Sequence, residues 1–215
     1  MNIINTHIFD NLYTSLLTYN TELFSIWTMI FVFAISLFFY LNYPKNINIF
    51  LITIGVLLHI PYSLNYHIYW SYGTDKILQC LYQKYDVIMI YICHLIAHFG
   101  ICYNRIPWTI YSITSTIFAC LTYSHTNDII KSKEFDNSII GVKYSFLFIL
   151  HFIPFVILKQ YNLLKYMFIA SIITLFIYKT KILDILIPTN MCLSNIFMHI
   201  GIINIYYIVY LSIIS

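Results

Sequence analysis

No charged residue falls between Glu22 and Lys45, and none between Lys45 and Asp75. Uncharged runs of this length constrain a chain more than any motif can. The hydrocarbon core of a bilayer is about 30 Å thick and takes about 20 helical residues to cross. A soluble chain of 215 residues needs far more charge than this one, in which 60% of residues are hydrophobic and 9% are charged. The mean hydropathy is +0.79. An integral membrane protein is therefore expected, an all-α bundle of seven transmembrane helices. The 21 tyrosines belong to a general bias toward Ile, Tyr, Phe and Asn and do not mark a binding box.

The expected spans are about 23–43, 47–67, 85–103, 108–123, 142–158, 163–178 and 193–214, within one domain covering 1–215. Residues 1–21 are polar and mixed, suited to a short interfacial helix. Pro44 with Lys45 closes the first span, and Pro61 points to a kink in the second. The loops expected at 68–84, 124–140 and 179–192 carry most of the charge. Seven spans put the termini on opposite sides of the membrane. Seven lysines then share the side of the N-terminus (Lys76, Lys84, Lys131, Lys133, Lys143, Lys179, Lys181). Lys45, Arg105, Lys159 and Lys165 lie on the other. By the positive-inside rule the N-terminus is cytosolic.

Several classes are not supported. A formal charge of +3 implies no nucleic-acid partner. Cys80, Cys93, Cys102, Cys120 and Cys192 show no CxxC spacing and no disulfide framework. The N-terminus lacks the basic region of a cleavable signal, so the first span is expected to serve as an uncleaved one. No inverted repeat or broken-helix pair suggests a transporter.

Polar chemistry gathers at one face. Glu22 and Ser25 open the first span. Ser63 and His67, four residues apart and so on one helix face, end the second, and Asp86 opens the third. Ser194, Asn195 and His199 open the last. Up-and-down connectivity brings all of these to the N-terminal side, and ionisable groups at such positions are functional candidates.

At these residues the chain resembles the progestin and adipoQ receptor family, which includes haemolysin III-like proteins, in a seven-span superfamily that also holds the alkaline ceramidases. Glu22-Leu-Phe-Ser25-Ile-Trp-Thr is similar to a Glu-x-x-Asn-Ile-Trp-Thr-His stretch. Ser63-Leu-Asn-Tyr66-His67 is similar to Ser-x-x-Tyr-His, and Ser194-Asn195-x-x-x-His199 to Ser-His-x-x-x-His. The resemblance implies Zn2+ held by three histidines, with an aspartate orienting a metal-bound water. It carries His67 and His199 over as ligands, Asp86 as catalytic base or water-orienter, and Ser63 as a hydrogen-bond partner of the developing oxyanion. Such a site would hydrolyse an amide in a membrane lipid such as a ceramide.

Three positions depart from that pattern. Ser25 stands for Asn and Met29 for His. Asn195 stands at the expected third-ligand position, and an amide is a poor zinc ligand. Cys192, three residues earlier on roughly the same face, is an alternative donor. The departure favours a rival expectation, a degenerate, non-catalytic lipid-binding or receptor-like protein. His94 and His98 form a separate i, i+4 pair, and His59 and His151 are single intramembrane histidines; all four are expected to be satisfied by neighbouring helices. Glu22 is expected to pair with a helix N-terminus or a buried donor.

Overall fold

The computed structural model describes residues 22–72, 75–132, 147, 149–187 and 193–215, with the side chains of residues 71, 72 and 195 left out of the description. The N-terminal segment 1–21, Cys192 and residues 142–146 and 148 of the span expected at 142–158 lie outside it.

Among the described residues the chain is all-helical. The helices are α1 (Leu23–Asn42), α2 (Ile47–Tyr72), α3 (Lys76–Cys102), α4 (Trp108–Lys131), α5 (Phe152–Ile157), α6 (Tyr161–Thr180), α7 (Ile182–Leu186) and α8 (Leu193–Ile214). Five of them, α1, α2, α3, α6 and α8, are long and apolar enough to cross a membrane. The chain is a multi-pass membrane protein. At 24 residues, α4 has the length but not the apolarity.

Most of the loop expected at 68–84, and the first half of the one expected at 124–140, up to Lys131, is helix. Asp75 caps α3, its Oδ1 accepting from the Ile77 and Leu78 amides at 2.8 and 3.3 Å and so satisfying donors that a helix start leaves orphaned. Helix α3 therefore begins at Lys76, and Asp86 lies almost three turns inside it rather than at its mouth. Helix α4 runs on to Lys131 because its buried face continues past the expected end: Thr114, Phe118, Thr122, His125 and Ile129 follow one another at helical spacing. The helical backbone of α2 is unbroken through Pro61.

Helices α2 and α3 form the most intimate pair. A Cβ at Gly100 would sit 2.9 Å from the Asn48 carbonyl oxygen and 2.8 Å from Ile52 Cγ1, so only glycine permits this approach of two backbones. Asn48 uses the approach. Its side-chain amide donates to the Gly100 and Tyr103 carbonyls, both at 2.7 Å, filling acceptors that the end of α3 leaves open. Helix α8 also packs on α6 through a glycine, with Gly201 facing the Thr174 side chain.

The two ends of the bundle differ in kind. At one end, α1 and α8 finish beside the start of α2, packing Phe39, Ile49, Ile52, Ile101, Met167 and Tyr210 into one apolar cluster. The Phe39 and Tyr210 rings stack there at 4.6 Å, and Tyr210 Oη lies 3.1 Å from Thr53 Oγ1. Arg105, in the α3–α4 turn, donates to the Ile101 carbonyl at 3.1 Å and to that of Ser212. The outward side chains of α6, among them Phe168, Ile172 and Phe176, are exposed, as expected of a face that lipid would cover. The other end holds the polar side chains.

Candidate functional site

The polar end is built from the start of α1, the last turns of α2, the first half of α3 and the start of α8. Hydrophobic helix neighbours bury Glu22, Ser63, His67, Asp86 and His199. An ionisable group is costly there unless it is paired, and pairing is what the geometry provides.

His67 Nδ1 lies 2.8 Å from Glu22 Oε2. A carboxylate only accepts, so the ring nitrogen carries the proton, and the lone pair of the neutral imidazole falls on Nε2. This carboxylate–histidine arrangement is the one that orients metal-bound or catalytic imidazoles. The His199 ring stands edge-on to that of His67, with centroids 5.2 Å apart. Asp86 Oδ1 is 3.0 Å from His59 Nε2, and the Asp86 carboxylate also interacts with His67 and Ser63. Ser63 Oγ lies 3.2 Å from Met29 Sδ as well. One hydroxyl proton cannot serve both acceptors, and the carboxylate is much the stronger.

The residues singled out from the sequence are thus partly brought together. Ser63, His67, Asp86 and His199 share one cluster, joined by Glu22 as a buried partner of His67. Asn195 lies on α8, but its side chain is outside the described residues, as is all of Cys192. Ser25 is buried in α1, where its carbonyl accepts from the Thr28 hydroxyl at 2.7 Å. His59 was missed as a site residue. Its signal was present, because 59, 63 and 67 continue one i, i+4 series along a single face of α2.

A second polar group lies deeper. His94 Nδ1 is 3.0 Å from His151 Nε2, and His98 Nε2 is 3.3 Å from Thr114 Oγ1. The Thr114 hydroxyl itself donates to the Ile110 carbonyl at 2.9 Å, so His98 Nε2 must be the donor. The His94/His98 spacing does not make a joint ligand pair; each ring bonds a different helix partner.

No family model, no curated protein and no solved structure matches this chain. What the site can hold must be judged on its donors.

A zinc site with one labile position needs three protein donors. His67 and His199 have the chemistry and the proximity for two. Among the described residues, no group of three His, Cys, Asp or Glu side chains stands ready to hold a metal ion. The described donor set is one short.

Proposed function

We propose that this chain is a seven-span membrane protein of the progestin/adipoQ receptor and haemolysin III type. Its working site is the cluster of Glu22, Ser63, His67, Asp86 and His199, which hydrolyses an amide in a membrane lipid such as a ceramide. The observation that carries this reading is the meeting of His67 with both Glu22 and His199, beside a carboxylate that already bonds an imidazole and a hydroxyl.

The seven-span count takes α4 and the stretch expected at 142–158 as the two further spans. Helix α4 suits hydrocarbon better than its composition suggests. The Ser112, Thr114 and Thr126 hydroxyls donate to the carbonyls of Trp108, Ile110 and Thr122, each one turn back. These three hydroxyls are thereby satisfied within the helix, which is what a bilayer demands of a polar group.

In the reaction, Asp86 takes a proton from an attacking water. His59, bonded to the same carboxylate, keeps it oriented. The Ser63 hydroxyl, turned from Asp86 by one rotation about its side-chain bond, donates to the developing oxyanion. Glu22 holds the His67 ring with its Nε2 lone pair toward the cluster. Zinc bound by His67 and His199 would supply Lewis acidity and a water with a pKa of roughly 7.

A second reading, a metal-free lipid-binding or receptor-like protein, is favoured by one observation: the described donor set lacks a third ligand. Zinc content separates the two. Asn195 stands where a ligand histidine is expected, one turn before His199. If the site is a metal site lacking one ligand, Asn195→His raises bound zinc toward one equivalent, and adding His67→Ala removes the gain. Equal zinc in the wild type and in Asn195→His means that another donor already completes the site. No zinc in any of the three proteins leaves the metal-free reading standing.

A further inference from the structure

The twenty residues of α6 rise roughly 30 Å, about the thickness of the hydrocarbon core. A crossing by α6 therefore ends near Thr180, and α7 stands at the surface of the bilayer. The chain turns at once. Lys181 ends α6 with a left-handed backbone, φ 52°, a common way for a helix to stop, while its amide still donates to the Ile177 carbonyl at 3.1 Å. Asp184 then fastens α7 to the next helix, its Oδ1 accepting from the Ser194 amide of α8 at 3.2 Å. So tethered, this short link has two sides. Ile182, Leu183 and Asp184 are half-buried. Ile185, Leu186 and the following Ile187 are 72%, 68% and 52% exposed. Three successive exposed apolar side chains are a liability on a water-facing turn unless something covers them. Exposed Lys179 and Lys181 come just before α7. The Lys181 ammonium lies over the Tyr178 ring, 4.4 Å from its centre, which keeps that charge at the level where the span ends.

We propose that this knuckle binds the anionic headgroup layer of the membrane: Ile185, Leu186 and Ile187 dip into the leaflet, and Lys179 and Lys181 meet lipid phosphates. Two features choose lipid over a protein partner. First, the tip adjoins a face that lipid would already cover, since α7 packs on α6 and the α6 side chains Ile172 and Phe176 are exposed. Second, the charge beside the tip is positive and so complementary to phosphate. Lysine stems can lie along apolar surface while their ammonium groups reach the headgroups. Asp184 is the one acidic residue from Lys179 to Ile187, and its carboxylate is engaged by the α8 amide. Basic residues beside exposed apolar side chains are the pattern of interfacial anchors. This end of the bundle is also the one expected to face the cytosol, where anionic lipids attract lysines. The carbonyl end of α6 would account for Lys179 alone; it leaves the apolar tip unexplained. Anchoring has a structural consequence. Asp184 holds the start of α8, the helix of His199, so a knuckle fixed in the leaflet fixes that start as well. The inference needs only that α6 crosses the membrane. It does not depend on zinc or on hydrolysis.

The test uses the full-length protein in phosphatidylcholine vesicles, with Ile185→Trp as a local reporter. The native tryptophans, all exposed, are removed by Trp27→Phe, Trp70→Phe and Trp108→Phe. Bromine carried high on a lipid's acyl chains quenches an indole that touches it. Brominated phosphatidylglycerol and brominated phosphatidylcholine are compared at equal mole fraction. Both should quench the Ile185→Trp indole. The apparent affinity for phosphatidylglycerol should be at least about fivefold the higher, the effect of one lysine near an anionic surface. Adding Lys179→Gln and Lys181→Gln should bring that ratio close to one and leave quenching by phosphatidylcholine unchanged. Helicity and elution as a single species confirm that each variant is folded. Should the Phe substitutions unfold the chain, the quenching that Ile185→Trp adds over the native tryptophans gives the same reading. No quenching by either lipid overturns the proposal and leaves water or a protein partner at the tip. Equal affinity for the two lipids overturns it too, as does a preference that survives removal of both lysines.

Discussion

Asp86 and His59 each carry an ionisable group into a region where hydrocarbon makes a lone charge expensive, and each is made tolerable by the other. Their side chains are only 10% and 13% exposed. Removing one member of such a pair strands its partner and typically costs about 3–5 kcal/mol, whereas removing both is far milder. His59→Leu or Asp86→Leu alone should therefore lower unfolding stability in detergent by that order, and the double substitution should recover much of the loss. Strictly additive losses would mean that the two residues do not act as a pair. The same pairing explains what was legible here. Ser63 and His67 could be read from the sequence because an i, i+4 step is a local signal. Which residue pairs with which could not: Asp86 lies 27 residues beyond His59, and Glu22 lies 45 before His67. No local periodicity links residues on separate helices. His59 looked solitary because its partner is on α3 and its relation to Ser63 and His67 is only a second step of the same spacing.

Among the elements, α2 and α3 depend most on a single missing side chain. Gly100 faces a backbone oxygen of α2 at 2.9 Å from its would-be Cβ, while the corresponding Gly55 position faces the Cys93 carbonyl at 3.1 Å. A backbone oxygen cannot rotate away, so the helices must separate instead. Gly100→Ala should cost about 1–3 kcal/mol, in the range for overpacking, and more than Gly55→Ala; melting temperatures in detergent give the order. The reverse order would mean that the α2–α3 contact yields near Gly100. Element boundaries were legible where an apolar run ended against a charge or proline, as at α1, and for α8, whose observed limits match the expected span. They were not legible at 68–84 and 124–131. There the polarity of the residues suggested loops, while the Asp75 cap and the buried face through His125 and Ile129 kept the chain helical.

For the molecule as a whole, the proposed count of seven spans would separate the two termini across the membrane. Tags at each end, tested by protease protection in sealed vesicles, should show the N-terminus on the cytosolic side and the C-terminus protected. Both termini on one side would require an even count and remove the connectivity proposed for α4 and the stretch at 142–158. The joint between α2 and α3 also bears on how such a bundle comes into being. Asn48 lies at the start of α2, yet the carbonyls that satisfy its amide are 52 and 55 residues further along. A helix α2 that entered lipid alone would present that NH2 group to hydrocarbon for as long as α3 was still being made. Chain growth thus sets a waiting time that only the next helix can end, and the hairpin, rather than the single helix, is the unit that the bilayer has to accept.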